Sequence, residues 1–412
     1  MKILYLVHQF FPKHYTGTER FTLDLAKQMQ RMGHYPTVLT YEPSPEVDGF
    51  KKLTDKMLFK RYSYHSIPVF ALRHAGPADI SSVFDPAIEE AFKKLGLECD
   101  LVHICHPMWL SSSARVCKTA GIPVVMTLTD AWLLCPRTLI DSGFRLCDGP
   151  ESDEQCMSLC KLKTKRRYED AKLLYYMVDE VTAASRFLPT LFERNGWNRR
   201  FRTIPHSIDY RYVRRSRTPP EKKITFAFIG SLAWHKGAHV LINAFRAVLR
   251  GNIALKIYGS PHEQREYFQA LLDVAQGDSR IQFLDPFKIE NLADIMSNVS
   301  VIVIPSVYYE NYPLVMLIAL AYKVPVIASK IGGMPEVIKQ GFNGFLFETG
   351  ESKELASIIT RIAQEPEILG NLRTNITAPR RIEEEALDYE NIYRDLIRFS
   401  SSVCSSCETP LH

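Results

Sequence analysis

Pro305-Ser306-Val307-Tyr308-Tyr309-Glu310-Asn311-Tyr312-Pro313 joins an apolar, strand-like run at residues 299–304 to an apolar segment at 314–322. Pro313 suits a helix start, because its fixed φ is helical and its missing N–H is not needed there. The helix that follows is apolar nearly all round (Leu314, Val315, Met316, Leu317, Ile318, Ala319, Leu320, Ala321) and is therefore expected to be buried. In a parallel α/β sheet, ligands bind at strand-to-helix turns of this kind. Glu310, a carboxylate presented on a buried scaffold, marks a candidate ligand site.

Working outward, short strand-like runs alternate with helical ones on both sides of this stretch. Upstream, the pattern predicts strands at 224–229, 253–258 and 281–284, with helices at 238–249, 262–275 and 289–297. A polar, Arg- and Pro-rich segment ending at Pro219-Pro220 separates this series from an earlier one and reads as a linker. In the earlier series, strands are expected at 3–7, 35–40, 101–105, 123–128 and 180–183. Helices are expected at 18–32, 85–95, 110–120, 164–177 and 185–195. Two doubly wound βαβ halves are the simplest architecture for this order. Helices at 352–363 and 383–399 close the chain, and the Ser- and Cys-rich residues 400–412 read as disordered.

Polar groups recur where the strands end. Thr16-Gly17-Thr18-Glu19 has capping-box spacing at a helix start, and the N–H groups exposed there favour an anion. His103 and His106 follow one strand, Thr129 and Asp130 the next. Gly230-Ser231-Leu232-Ala233-Trp234-His235-Lys236-Gly237 delivers a lysine beside a helix start, which suits a diphosphate. It is not a Walker A loop, and no G-x-G-x-x-G occurs in the chain. Gly332-Gly333-Met334-Pro335-Glu336 and residues 341–347 supply further tight turns.

The length of 412 residues argues for two domains, and the formal charge of +5 is too small to suggest a nucleic-acid partner. Basic residues crowd 161–167 and 194–217, which read either as solvated surface or as a face for an anionic acceptor or anionic membrane. No apolar run approaches a membrane span, and Met1-Lys2 leads directly into a strand-like run. The expected location is therefore cytoplasmic, with peripheral contact at the inner face of a membrane as an extension. Of nine cysteines, Cys135, Cys147, Cys156 and Cys160 fall close together. Four thiolates would suit a structural zinc, with unliganded or redox-active thiols as the alternative.

Taken in order, these motifs resemble the retaining glycosyltransferases of family 4. The matching residues are Thr16-Gly17-Thr18-Glu19, Asp130 within 127–132, Ile204-Pro205 through Ile208-Asp209, and Lys236-Gly237. Pro305-Ser306 with Glu310-Asn311-Tyr312-Pro313-Leu314, Gly332-Gly333-Met334-Pro335-Glu336 and 341–347 match as well. The resemblance implies an α/β GT-B fold of two Rossmann-like, doubly wound domains facing an interdomain cleft. Residues 1–209 would form the acceptor-side domain, carrying a Cys-rich insertion at about 131–164. Residues 210–382 would bind the nucleotide sugar, and the helix at 383–399 would pack back toward the N-terminal domain.

The implied activity is transfer of a hexose, with retention, from a nucleoside diphosphate sugar to a glycan or lipid-linked acceptor, with no cofactor needed for catalysis. Lys236 would neutralise the leaving diphosphate, helped by backbone N–H groups at Gly17. Glu310 would contact the donor sugar, and Asp130 and His106 would complete the catalytic set. Ser231, Pro305, Asn311, Tyr312, Pro313, Leu314 and Ile318 would line the donor site. Three positions depart from the family pattern: Ile318 where a ribose-binding Glu is usual, Ser231 where an Arg is common, and Thr129 where a His often precedes the Asp. An isoleucine accepts no hydrogen bond. These departures motivate a second reading, a catalytically impaired protein that binds nucleotide or glycan without turnover.

Overall fold

The computed structural model describes residues 1–406 apart from 45–47, 78–81, 142, 144, 150–151, 162–164, 214–222, 250, 263 and 288. The linker expected at Pro219-Pro220 and parts of both basic runs lie outside the described residues. The chain divides into two compact units: Met1–Ser142, Cys147–His206 and Ile382–His412 in unit 1, Gly143–Leu146 and Ser207–Arg381 in unit 2.

Unit 1 runs β1 (Lys2–Val7), α1 (Gly17–Arg31), β2 (Tyr35–Tyr41), β3 (Lys51–Lys52), β4 (Met57–Tyr64), β5 (Ile67–His74), α2 (Pro86–Leu95), β6 (Leu101–Ile104), α3 (Ser111–Thr119) and β7 (Val124–Leu128). It continues with α4 (Asp153–Cys160), α5 (Lys165–Met177), β8 (Glu180–Ala183), α6 (Phe187–Arg194) and β9 (Arg202–Thr203). The sheet order is β3-β4-β5-β2-β1-β6-β7-β8-β9. Only the β3–β4 and β4–β5 pairs are antiparallel. The β4–β5 hairpin is absent from the sequence reading. Its turn residues His65 and Ser66 sit at φ 50° and 63°, the left-handed geometry a two-residue hairpin demands, without the Asn-Gly or Asp-Gly that normally announces it.

Unit 2 runs β10 (Ile224–Ile229), α7 (Ala238–Ala247), β11 (Ile253–Tyr258), α8 (Arg265–Ala275), β12 (Ile281–Leu284), α9 (Leu292–Ser297), β13 (Val301–Ile304) and α10 (Leu314–Ala321). β14 (Val326–Ser329), α11 (Met334–Val337), β15 (Gly344–Phe347), α12 (Ser352–Gln364) and α13 (Ile368–Asn375) complete it. Its six parallel strands lie in the order β12-β11-β10-β13-β14-β15. Alternate strand residues go to opposite faces. Phe226, Phe228, Val301 and Val303 join one core with α7 and α12, while Ala227, Ile302 and Ile304 join another with α9 and α10. Met316, Leu317, Ala319 and Leu320 of α10 are buried as expected, and Leu314, Val315, Ile318 and Ala321 are half-buried against the same core.

The last helix, α14 (Ile382–Ser406), belongs to unit 1 and continues beyond residue 400, where disorder was expected; residues 407–412 lie outside the described residues. It docks on unit 1 through a buried polar ladder. Tyr393 Oη lies 2.6 Å from His103 Nδ1, and His103 Nε2 lies 2.7 Å from Thr127 Oγ1. Thr127 Oγ1 in turn lies 2.7 Å from Thr182 Oγ1 and 3.0 Å from Tyr389 Oη. Two histidine–carboxylate hydrogen bonds flank the ladder, His206–Glu385 at 3.0 Å and His34–Glu390 at 2.9 Å. Burial pushes the His103 imidazole down to about 3, so it is neutral, with both ring nitrogens engaged. His103 is thus a core residue and not part of a site.

Tyr393→Phe removes one of the His103 partners and leaves a buried ring nitrogen unsatisfied. A loss of about 1–3 kcal/mol is expected in urea unfolding of the full chain. An unchanged midpoint would show that the ladder does not hold α14.

Candidate active site

In both sheets the order reverses beside the first strand of the series, between β1 and β6 in unit 1 and between β10 and β13 in unit 2. Such switch points open a crevice at the carboxyl ends of the strands. In each unit the polar groups singled out in the sequence gather at that point.

In unit 2, Lys236 follows β10 and Glu310 follows β13. Two close backbone approaches fix them. Gly237 has φ 72°, and a Cβ there would stand 1.8 Å from the Pro305 carbonyl oxygen. Gly332 has φ 64°, and its Cβ would stand 1.9 Å from the Glu310 carbonyl oxygen. Neither position admits a side chain. Hydrogen bonds strap the loops: Val307 N donates to His235 O at 2.8 Å, and Gly333 N donates to Glu310 O at 2.8 Å.

Within this frame Lys236 Nζ lies 2.8 Å from Glu310 Oε1 and donates to Tyr308 Oη at 2.7 Å. Tyr308 Oη donates to Glu310 Oε2 at 2.9 Å, and Ser306 Oγ donates to Oε1 at 2.7 Å. Burial alone would raise the Glu310 carboxyl, but the Lys236 ammonium and these hydrogen bonds hold it below the usual value. Burial alone would lower Lys236, and Glu310 with Tyr308 raises it instead. Burial, then Lys236, brings His235 down to about 4. The cation is therefore permanent, and the carboxylate ionised, at neutral pH.

Ser306 and Tyr308, unassigned in the sequence reading, complete this set. Their signal was their place within two and four residues of Glu310. Pro305 and Asn311 are buried; Tyr312, Pro313, Leu314, Ile318 and Ser231 are half-buried. Ile318 packs with the apolar core around α10.

In unit 1, His106 Nδ1 accepts a hydrogen bond from Met108 N at 3.2 Å, which assigns the ring proton to Nε2, 3.2 Å from Asp130 Oδ2. Asp130 Oδ1 accepts from Trp132 N at 2.8 Å. Burial would raise the Asp130 carboxyl, but His106 and the Trp132 N–H lower it below its ordinary value. Arg167, from one of the basic runs, is buried. It donates to the carbonyls of Leu133 and Trp132 and lies 4.4 Å from the Trp132 ring centroid. Its charge thus holds the Asp130–Trp132 turn rather than facing solvent.

Gly17 opens α1 and is exposed, with nothing within 4 Å of a Cβ placed there, so a ligand can reach this backbone. The capping box read at Thr16 and Glu19 does not form: Thr16 makes no side-chain cap, and its hydroxyl donates to Glu19 Oε2 at 2.5 Å. Glu19 is instead fully buried, with Oε1 3.4 Å from His8 Nε2.

Cys135, Cys147, Cys156 and Cys160 are half-buried thiols. Among the described residues, no three His, Cys, Asp or Glu side chains group as a metal ion would require. No described helix is long and apolar enough to cross a membrane.

The Lys236–Glu310 pair makes a stability prediction. Lys236→Met strands a buried carboxylate and is expected to cost about 2–4 kcal/mol, somewhat under a fully buried pair because the Lys236 side chain is 26% exposed. Adding Glu310→Gln should return most of that loss in denaturant unfolding. Because the folded state depresses the Glu310 pKa, its contribution is present above the ordinary carboxylate value and fades as pH falls through the folded one. The stability gap between wild type and Glu310→Gln should therefore narrow on acidification; a gap independent of pH would contradict the assigned pairing.

A family model described as Glycosyltransferase Family 4 matches residues 15–212, and one described as Glycosyl transferases group 1 matches residues 210–378. A D-inositol 3-phosphate glycosyltransferase of Corynebacterium efficiens is 34% identical over 30% of this chain and 30% of its own length. An N-acetyl-alpha-D-glucosaminyl L-malate synthase of Bacillus anthracis is 27% identical over 49% of this chain and 55% of its own. The chain thus spans less than two thirds of the length of these relatives. Among solved structures, the sucrose-phosphate synthase of Thermosynechococcus elongatus aligns with TM-score 0.74 at 20% identity, covering 96% of this chain and 99% of that one. The Anabaena protein HepE, solved with UDP and glucose, aligns with TM-score 0.70 at 18% identity, covering 95% and 99%. These structural neighbours share the GT-B fold. With two adjoining family models spanning residues 15–378, the chain belongs to the family 4, group 1 glycosyltransferases.

Proposed function

We propose that the protein transfers a hexose, with retention of anomeric configuration, from a nucleoside diphosphate sugar held by unit 2 to a glycan or lipid-linked acceptor held by unit 1. The observation that carries this is the Lys236–Tyr308–Glu310 set at the β10/β13 switch point. A permanent cation and an ionised carboxylate stand together there, one suited to a leaving diphosphate and the other to sugar hydroxyls. Donor entry exchanges the Lys236–Glu310 contact for Lys236–phosphate and Glu310–sugar contacts, so both charges remain paired throughout. HepE was solved with UDP and with UDP-glucose, which makes uridine diphosphate sugars the first donors to try. The departing diphosphate needs no metal when a lysine and backbone N–H groups receive it.

Ile318 favours a second reading, binding without turnover, because it places an apolar group where the family pattern has a ribose-binding carboxylate. A thermal-shift series with UDP, ADP and GDP and their glucose conjugates separates the two. A rise with one nucleotide family, followed by sugar release or transfer, is expected. Binding with no turnover in the presence of candidate acceptors supports the second reading, and no shift with any member removes the donor assignment. Lys236→Arg keeps the charge and is expected to retain more turnover than Lys236→Met. Equal turnover in the two would deny the lysine its role at the phosphate.

A structural zinc at the cysteine cluster remains a separate proposal, carried by the four thiols in one stretch. Metal analysis of the purified protein tests it: about one equivalent per chain supports it, and a small fraction of an equivalent rejects it.

A further inference from the structure

Unit 1 brings together two cysteines that lie outside both the cysteine-rich stretch and the candidate active site. Cys99 sits in the short segment between α2 and β6, and Cys117 lies in the last turn of α3. Their thiols meet as hydrogen-bond partners, with Cys117 donating to Cys99. Cys117 is buried and Cys99 half-buried, so one sulfur is shielded while the other is within reach of solvent.

The chain on both sides of each cysteine is strapped down. Lys2 of β1 holds Glu98 through an ion pair at 2.6 Å, and its backbone N–H donates to the Asp100 carboxylate at 2.7 Å. Asp100 N donates in return to Lys2 O at 2.8 Å. Beside Cys117, Lys118 Nζ lies 2.6 Å from Asp179 Oδ1, and the other Asp179 oxygen accepts from Val124 N at 2.7 Å. The Cys117 carbonyl accepts from Ile122 N at 2.9 Å. Fixed segments keep the two sulfurs as neighbours, which raises the effective concentration of one thiol at the other.

The two thiols are not equivalent. The hydrogen bond from Cys117 holds the Cys99 thiol below its ordinary pKa, against the opposing effect of burial. The same contact, and then burial, raises Cys117. The thiolate is the reactive state of a cysteine, so Cys99 is the sulfur that reacts first and Cys117 the protonated partner that follows. Cys105, on the same strand edge, differs from both: it is fully buried, and burial pushes its thiol up to about 12.

We propose that Cys99 and Cys117 form an oxidation site that closes reversibly to a disulfide in response to hydrogen peroxide. The Cys99 thiolate attacks one peroxide oxygen. The O–O bond breaks, and its electron pair leaves on the second oxygen, which takes up the proton that Cys99 released. Cys99 is then a sulfenic acid. The Cys117 sulfur attacks the Cys99 sulfur, the S–O bond breaks, and the departing hydroxide takes the Cys117 proton. One peroxide is reduced to two waters, and two thiols are oxidised to one disulfide. The ring so closed, residues 99–117, contains β6, the turn bearing His106 and most of α3. Oxidation thus ties the two supports of that turn to each other. The site lies within unit 1 and stands independently of the transferase reading.

The test uses the full chain, reduced with dithiothreitol, freed of it under nitrogen and treated with a small excess of hydrogen peroxide. Peptide mass mapping should find the Cys99 and Cys117 peptides joined, and the thermal midpoint should rise by about 5 °C, both changes being reversed by dithiothreitol. Cys117→Ala keeps the reactive sulfur and removes its partner. In that variant Cys99 should be recovered as a dimedone-trapped sulfenic acid, with no rise in midpoint. In Cys99→Ala, Cys117 should stay a free thiol. Wild-type protein whose Cys99 and Cys117 remain unlinked, or whose Cys99 pairs with another cysteine, overturns the proposal. An equal rise in midpoint in Cys117→Ala, or a sulfenic acid at Cys117 in Cys99→Ala, does so as well. The wild-type peptide map decides the matter even where a variant fails to fold.

Discussion

Everything at the β10/β13 switch point depends on two places where backbone meets backbone too closely for a side chain. Gly237 lies against the Pro305 carbonyl and Gly332 against the Glu310 carbonyl. These contacts join the turn after β10, the turn after β13 and the turn before α11 into one block. The Lys236 ammonium and the Glu310 carboxylate are then held by loop geometry rather than by flexible side-chain packing. A methyl group at either glycine would separate the loops and, with them, the charges. Preorganisation of this kind matters because groups already aimed at a developing charge need not reorganise during reaction.

Both units apply the same rule with different chemistry. Each reverses strand order beside its first strand, and each places titratable groups on the two strands that flank the reversal. In unit 2 the pair is a lysine and a glutamate, a matched set for an anionic leaving group. In unit 1 it is two histidines whose rings lie tilted at 4.1 Å, each with a carboxylate beside it, His8 with Glu19 and His106 with Asp130. Arg167 shows how far support extends behind such a site: a buried guanidinium on α5 holds the carbonyls of the turn that carries Asp130.

Much of this was legible in the sequence, because the relevant signals are local. The 305–313 stretch and the helix behind it display strand, turn and buried helix in one window, and Lys236 and Glu310 follow from strand-end placement. Loops whose character depends on distant chain were not legible. Glu19 has the spacing of a helix cap, and only the position of His8 just after β1 shows the carboxylate turned inward. His103 and His106 look alike in sequence, yet one is committed to Tyr393, nearly three hundred positions away. The β4–β5 hairpin was hidden because His65 and Ser66 adopt a backbone that their identities do not advertise. The four cysteines gave a count and a spacing, but thiol convergence is a property of tertiary structure.

The chain begins in unit 1, leaves it at residue 206, builds unit 2, and returns at residue 382 with α14. The polar ladder under that helix needs Tyr389 and Tyr393, which are made only after residues 207–381. During synthesis, His103, Thr127 and Thr182 therefore wait inside an unfinished core while the whole of residues 207–381 emerges. The usual N-terminal-first order of domain maturation is reversed. Unit 2 can condense on the ribosome, while unit 1, although its strands are translated earlier, reaches its native core only after α14 has been made.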